Sequence, residues 1–258
     1  MVVVLAVLAT VFFCILVFNL KSPGKRIEHE VVPAGDLRSP TVLRSIGQLL
    51  GPPLIAGNRI TELKNGDQIF PVMLSAIASA KKTITFETFI YWSGEIGDRM
   101  ADAFSERALA GVKVHVLIDW VGSDKMEDRL LEKMRRSGVI VERYRPLRWY
   151  NVSRVNNRTH RKILVIDGEV GFTGGVGIAD QWQGHAQDPE HWRDSHFKVE
   201  GPVVAQLQAA FLDNWSASHP EVLHGDDYFP PLANVGDSIG QVFKSSPEEG
   251  SGSVRLMY

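Results

Sequence analysis

The segment from His160 to Asp167 carries residue types that could do chemistry on a phosphate ester. It reads HRKILVID and has the spacing HxKxxxxD. A neutral imidazole is a nucleophile near neutral pH. An ammonium group beside it can bind a phosphate oxygen and stabilise negative charge in the transition state. His160 and Lys162 are therefore a candidate pair for attack on phosphorus without a metal ion.

The apolar residues of this segment predict a β-strand over 160–167. Side chains two apart on a strand share a face, so His160 and Lys162 would project together. Asp167 lies an odd number of positions from His160 and would face the other way, so we expect it to support the site rather than touch substrate. A half-exposed edge strand with a solvated histidine and lysine is the alternative interpretation.

Glycines follow this strand directly, in the sequence GFTGGVGIAD over 171–180. Paired glycines let a backbone approach a ligand closely and can present N–H groups to phosphate. The pair Gly174 and Gly175 is therefore a candidate phosphate-binding element. Asn156 and Arg158 form a polar approach to the motif from the other side.

Two further groups of titratable residues have more than one interpretation. His191, Asp194 and His196 could be metal ligands, but their spacing fits no strong zinc pattern. Glu87 lies in the middle of a predicted strand. It could face the site, and a solvated or ion-paired position is the alternative.

The composition is that of an ordinary globular protein. The chain has 258 residues, 44% of them hydrophobic, and a formal net charge of −2. This charge argues against a dedicated nucleic-acid binder, which usually has a basic excess. The one cysteine, Cys14, excludes an internal disulfide and a cysteine-clustered zinc site.

Helical and strand patterns alternate along the chain and predict a mixed or largely parallel sheet with helices on both faces. Strands are predicted at 59–63, 82–91, 112–119, 139–144, 160–167 and 170–173. Helices are predicted at 69–80, 97–110 and 126–137, and after Gly201-Pro202. In that last helix the apolar residues Val204, Leu207, Phe211 and Trp215 share one face.

The first twenty residues predict a transmembrane helix. Val2 to Leu20 contains no charged residue, and a helix of this length would be roughly 28 Å long, close to the thickness of the bilayer core. Lys21, Lys25 and Arg26 follow at once, which predicts a single-pass protein whose body lies on the cytoplasmic side. A cleaved signal peptide is the main alternative, but no basic residue precedes the apolar run.

Two stretches of the sequence resemble the phospholipase D superfamily, and within it the bacterial cardiolipin synthases. They are HRKILVIDGEVGFTGGVGIAD and HWRDSHFKVEGPVVAQLQAAFLDNW, and the similarity runs from about Arg59 to Trp215. The resemblance implies a phospholipase D-like α/β fold and a bacterial membrane enzyme that uses no metal or cofactor.

The resemblance also implies roles for individual residues. His160 would attack phosphorus and form a phosphohistidine, Lys162 would bind the phosphate, and Asp167 would complete the catalytic motif. The polar approach and the glycine pair described above would contribute to substrate binding. One residue departs from the family pattern, because Gly177 stands where an asparagine is common.

The number of motifs is a larger departure. The family builds one site from two HxKxxxxD motifs, and this sequence contains one. We therefore expect the amino-terminal half of a longer enzyme. The predicted organisation is an anchor over 1–20, a tether over 21–57, a catalytic half-domain over 58–218, and a connector that leads into a second half over 219–258.

Three functional hypotheses follow. The first is a membrane-anchored phosphatidyltransferase that acts on phosphatidylglycerol, with a second motif-bearing half or a second copy as partner. The second is a single-motif homodimeric phosphodiesterase or nuclease, which the net charge disfavours. The third is an inactive half-domain that binds anionic lipid.

Overall fold

The computed structural model describes residues 2–20, 52–146 and 158–244. Two compact units divide the chain, and one of them, formed by residues 52–146 and 159–242, contains every strand described below. The other contains helix α1, Val2–Leu20, whose side chains are described through Ile15. Within the described residues, no helix is long and apolar enough to cross a membrane.

An eight-stranded mixed sheet forms the larger unit, with strand order β4-β3-β2-β5-β6-β7-β1-β8. Strands β2, β3 and β4 pair in parallel, and the other neighbours pair antiparallel. The strands are β1 Ile55–Lys64, β2 Thr83–Thr88, β3 Lys113–Asp119, β4 Ile140–Tyr144, β5 Ile163–Ile166, β6 Val170–Gly174, β7 Ser195–Glu200 and β8 Ser238–Gly240.

Helices cover both faces of this sheet, which confirms the predicted mixed sheet flanked by helices. Three of them contribute buried side chains to one hydrophobic core, and the fourth contributes to a separate core on the opposite face. The first three are α2 Asn65–Ser79, α3 Glu95–Leu109 and α4 Asp128–Arg136, and the fourth is α5 Val204–Trp215.

Strand β2 shows how the sequence separates these two cores. Ile84 and Phe86 belong to the core under α2, α3 and α4. Thr85 faces the other way, and its hydroxyl group donates a hydrogen bond to Gln208 of α5 at 3.0 Å. Successive side chains on a strand point to opposite faces, and in β2 both faces are buried.

The structure corrects several predicted elements. Strand β5 begins at Ile163, so His160 lies in the extended segment before it rather than on the strand. Helix α2 begins at Asn65, four residues before the predicted start at residue 69.

Two strands were not predicted, β7 and β8, and β8 lies within the region that was predicted to be a connector. The hydrophobic pattern of β7 is weak because only two of its six residues, Phe197 and Val199, are apolar. Its pairing with β1 and β6 forms the strand.

Candidate active site

Side chains of the segment before β5 contact α5 and the candidate site in turn. Arg161 is bound to α5, because its guanidinium group donates to the carbonyl of Ala210 at 2.7 Å and pairs with Asp213 at 2.9 Å. His160 and Lys162 lie at the alternate positions. The Nζ of Lys162 lies 3.3 Å from Nδ1 of His160 and donates to the His160 carbonyl at 3.1 Å. The two predicted reactive side chains therefore meet, although the segment is outside the regular strand.

Burial keeps both groups of this pair closer to their neutral forms. It lowers the pKa of the His160 imidazole, and the adjacent Lys162 ammonium lowers it further, while Asp119 acts in the opposite direction. Burial also lowers the pKa of Lys162, and Asp194 partly offsets that effect. A neutral imidazole beside a cation is the arrangement that nucleophilic attack on a phosphate ester requires.

Phe89 forms an apolar wall of this site. Its ring centroid lies 4.9 Å from that of His160, and the Nζ of Lys162 lies 5.9 Å from the same ring. The backbone of the loop after β3 packs closely here, since a Cβ atom on Gly122 would lie 2.1 Å from the Phe89 carbonyl oxygen. The wall therefore depends on a glycine that the sequence did not single out.

The glycine pair lies against β7. A Cβ atom on Gly174 would lie 2.6 Å from Nδ1 of His196, and one on Gly175 would lie 2.2 Å from a carboxylate oxygen of Asp194. Larger residues would push away the two side chains that act electrostatically with Lys162. Close packing is thus a structural reason for both glycines, and phosphate binding by them stays a prediction.

Gly177 is also enclosed. A Cβ atom there would lie 2.9 Å from the Cβ of Ile90 and 3.0 Å from the ring of Trp182. An asparagine at this position would not fit without movement of its neighbours. The close packing around Gly177 is therefore consistent with a glycine, rather than an asparagine, at this position.

The residues considered as metal ligands are separated in the structure. His191 pairs with Asp188 at 2.5 Å. Asp194 accepts hydrogen bonds from the Trp182 indole at 3.1 Å and from the Ser195 N–H at 2.8 Å. His196 is buried, and burial lowers its pKa to about 4, with a further contribution from Lys162. Across residues 2–20, 52–146 and 158–244, no group of three or more His, Cys, Asp or Glu side chains is placed to hold a metal ion.

Asp167 lies at the opposite end of β5 from His160. The whole of β5, Ile163–Ile166, lies between the two residues. Its carboxylate accepts hydrogen bonds from the backbone N–H groups of Lys81, Lys82 and Thr83 at 2.9, 2.7 and 2.9 Å. The structure therefore does not bring Asp167 to the reactive pair but uses it to bind the start of β2.

The predicted substrate-binding residues before the motif are only partly described. Asn156 lies outside the described residues. Arg158 is the first described residue of this segment, and it belongs to the smaller unit. Their roles stay predictions.

Of the residues that hold the main chain beside His160, sequence reasoning raised Glu87 as one that could face the site but missed Asp119 and Asn214. Asp119 accepts a hydrogen bond from the Thr159 N–H at 3.0 Å, and Glu87 accepts one from the Thr159 hydroxyl at 2.5 Å. Asn214 of α5 donates to the same carboxylate at 2.6 Å. A partial signal was available for Asp119, because it ends the predicted strand 112–119, and neighbouring parallel strands bring such ends to one edge of a sheet.

Comparison with known proteins identifies relatives of this chain. The family model described as "Cardiolipin synthase, PLD-like domain" matches residues 73–215. The chain is 35% identical to cardiolipin synthase 1 of Bacillus anthracis over 244 residues, which is 90% of this chain and 47% of that protein. It is 35% identical to cardiolipin synthase A of Pseudomonas fluorescens strain SBW25 over 188 residues, 72% of this chain and 39% of that protein.

A solved structure shares the fold. Phosphatidylserine synthase of Haemophilus influenzae Rd KW20 superposes with a TM-score of 0.51 at 16% identity, over 81% of this chain and 46% of that one. The chain spans about half the length of the curated relatives it matches. The matched family model covers more than half of the chain and includes the His160–Lys162 pair, and the chain belongs to the cardiolipin synthase, PLD-like domain family.

Proposed function

We propose that this chain is the motif-bearing half of a phosphatidyltransferase of cardiolipin-synthase type, with His160 as its nucleophile. The observation that carries the proposal is the contact between the His160 imidazole and the Lys162 ammonium group at 3.3 Å, in a site where burial lowers the pKa of both. The identity with cardiolipin synthases over most of the chain supports phosphatidylglycerol as the substrate.

The reaction has two steps. In the first, an imidazole nitrogen of His160 attacks the phosphorus of phosphatidylglycerol, a P–N bond forms, and the P–O bond to the headgroup glycerol breaks. Glycerol leaves with one added proton. In the second step, a glycerol hydroxyl of another phosphatidylglycerol attacks the phosphohistidine, the P–N bond breaks, and cardiolipin forms as the hydroxyl releases its proton. Lys162 neutralises charge on the phosphate oxygens in both steps.

The proton for the leaving glycerol comes from a second histidine in this proposal. A second motif-bearing half, or a second copy of this chain, would supply it, and the match to about half of each curated relative supports the first arrangement. Asn156 and Arg158 would bind the lipid phosphate from the polar approach, and the backbone at Gly174 and Gly175 would bind it from β6.

The membrane arrangement is part of the same proposal. The segment 1–20 would anchor the protein in the bacterial cell membrane, and 21–57 would tether a cytoplasmic body to it. Residues 58–218 would form most of the catalytic half-domain, which the chain up to Val242 completes, and the remainder of 219–258 would lead toward the second half. The uncharged apolar sequence of Val2–Leu20 supports the anchor.

His160→Ala tests the nucleophile. The full chain is incubated with vesicles of phosphatidylglycerol that carries label in its phosphatidyl group, and both labelled cardiolipin and acid-labile label on the protein are measured. We expect both in the parent chain and neither in the variant, because the His160 imidazole supplies the nitrogen of the P–N bond in this proposal. The matched control is His224→Ala, which removes an exposed histidine.

Each outcome has a distinct meaning. Full transfer by His160→Ala would refute the nucleophile. Release of phosphatidic acid instead of cardiolipin would show that water takes the place of the acceptor alcohol, and the enzyme would be a hydrolase. Light scattering shows whether the parent chain is a monomer or a dimer. If neither form of the parent chain takes up label, this half does not catalyse the first step without a second motif-bearing half.

A further inference from the structure

Glu87 is a fully buried carboxylic acid near the end of β2, on the sheet face that α5 covers. One carboxylate oxygen, Oε1, accepts hydrogen bonds from the Thr159 hydroxyl at 2.5 Å and from the Asn214 side chain at 2.6 Å. Asn214 also donates to the Thr159 hydroxyl oxygen at 3.1 Å. These three side chains form a closed, buried polar triangle between the sheet, the motif segment and α5.

Thr159 makes three hydrogen bonds besides the one from Asn214, and the next residue is the nucleophile. Its N–H donates to Asp119 at 3.0 Å, its hydroxyl group donates to Glu87, and its hydroxyl oxygen accepts from the Arg161 N–H at 3.3 Å. Asp119 is itself fixed by the N–H groups of Val121 and Gly122, at 2.9 and 3.2 Å. The main chain on the amino side of His160 is thus tied to the ends of β2 and β3.

We propose that Glu87 is a positioning residue for His160: its buried carboxyl group holds the side chain of Thr159, and Thr159 fixes the main chain from which the histidine projects. The inference deepens the proposed function and rests on it, because it concerns the geometry of the same nucleophile. Glu87 touches neither His160 nor Lys162 in the described contacts, so its effect on the reaction is indirect.

The choice of a carboxylic acid at this position is energetically costly. The second oxygen, Oε2, is buried and has no hydrogen-bond partner within the described part of the chain. Burial raises the pKa of Glu87 to about 7, although hydrogen bonds from Thr159 and Asn214 and the charge of Arg161 lower it. Asp213 is the other charged group that acts on it, in the raising direction. An apolar residue would avoid this cost but would leave the Thr159 and Asn214 donors unpaired.

Variants at two positions separate positioning from simple packing. Glu87→Met and Thr159→Val remove the hydrogen bond and keep a similar volume, whereas Glu87→Gln and Thr159→Ser keep an acceptor or a hydroxyl group in place. Glu132→Gln is the matched control, because it makes the same chemical change on the exposed surface of α4.

The first measurement does not depend on catalysis. The imidazole resonances of His160 are followed by NMR in the full chain and assigned by their loss in His160→Ala. We expect Glu87→Met and Thr159→Val to shift and broaden the His160 resonances to a similar extent. The double variant should show no larger change, because both substitutions remove the same hydrogen bond between Glu87 and Thr159. We also expect a second inflection near pH 7 in the parent chain, which Glu87→Gln removes.

Unchanged His160 resonances in folded Thr159→Val or Glu87→Met would overturn the proposal. If Glu87→Met does not fold, Thr159→Val against Thr159→Ser decides the question by itself. These results stand whether or not the chain transfers phosphatidyl groups, so a failure of the proposed function is recognised separately by the labelling assay.

Kinetics provide the second measurement in the active enzyme. We expect Thr159→Val and Glu87→Met to lower kcat by about 10- to 100-fold with KM within about twofold, because a small misplacement of a reacting group acts on the chemical step. Glu87→Gln should recover most of that loss. A change in KM alone, or a loss of kcat that follows the fraction of unfolded protein, would contradict positioning.

Discussion

At the scale of single residues, burial favours the neutral forms of several titratable groups in the larger unit. It raises the pKa of Glu87 to about 7 and lowers the pKa values of His115 and His196 to about 4. These shifts have opposite consequences for stability. Between about pH 4.5 and 7 the folded protein retains a proton on Glu87 that the unfolded chain has released. Between about pH 4 and 6.5 the two histidines are neutral in the folded protein and protonated in the unfolded chain.

Glu87→Gln should therefore change how stability depends on pH. The Glu87 contribution lowers the free energy of unfolding as pH rises from about 4.5 to 7, by roughly 3 kcal/mol in total. Removing it leaves the histidine contributions, which raise the free energy of unfolding with pH. We expect the free energy of unfolding, measured with urea, to rise more from pH 5 to pH 8 in the variant than in the parent chain. An equal rise in both proteins would show that Glu87 does not titrate in this range.

At the scale of elements, side chains of the motif segment bind neighbouring elements at both ends of the short strand β5. Before the strand, Arg161 binds the carbonyl of Ala210 and the carboxylate of Asp213 on α5. After it, Asp167 adopts a left-handed backbone conformation, with φ of 53°, and binds the start of β2. The HxKxxxxD motif thus places the reactive pair before the strand and a structural aspartate after it.

Asp167→Ala should destabilise the fold and spare the reactive pair. The change leaves three backbone N–H groups without their carboxylate, at a cost of about 2 kcal/mol in the free energy of unfolding. Asp167→Asn should lose less, because an amide oxygen still accepts and asparagine tolerates this backbone conformation. We expect labelling of His160 per folded molecule to stay within about twofold in both variants.

Chemical unfolding and the labelling assay, made on the same samples, check this prediction. A large loss of labelling in fully folded Asp167→Asn would instead place Asp167 in the chemistry.

At the scale of the whole molecule, residues after 218 complete the domain that the motif occupies. Leu223 and Tyr228 are buried in the core under α5. The Tyr228 hydroxyl lies 2.8 Å from Nε2 of His115, and β8 pairs with β1 at the edge of the sheet. The region that composition predicts to be a connector is therefore part of the fold for much of its length.

A chain that ends at Ser218 should be much less stable than one that ends at Lys244. Loss of two buried side chains and the edge strand would remove about 5 kcal/mol of stabilisation, with about 1.5–3 kcal/mol for each side chain. We expect the shorter chain to unfold at a clearly lower temperature or to aggregate, as followed by circular dichroism and light scattering. Equal melting temperatures for the two chains would show that 219–244 packs without contributing to stability.

Much of the architecture could be predicted because local patterns and burial agree. The alternation in β2 and β3 and the apolar face of α5 each correspond to a buried surface in the structure. Strands β7 and β8 could not be predicted, because the first has polar residues within it and the second has only three residues. Pairing with β1, which lies far from both in sequence, forms them.

The sequence by itself determined the reactive pair. Histidine and lysine two positions apart on a predicted strand were expected to project to one side, and in the structure the Lys162 ammonium group lies 3.3 Å from the His160 imidazole. Only the tertiary structure decided the rest of the site. It separates Asp167 from His160, packs the glycine pair against Asp194 and His196, and brings Glu87 and Asn214 to Thr159. These contacts join residues that are distant in the chain, and the register of the sheet and the packing of α5, not the local pattern, set their distances.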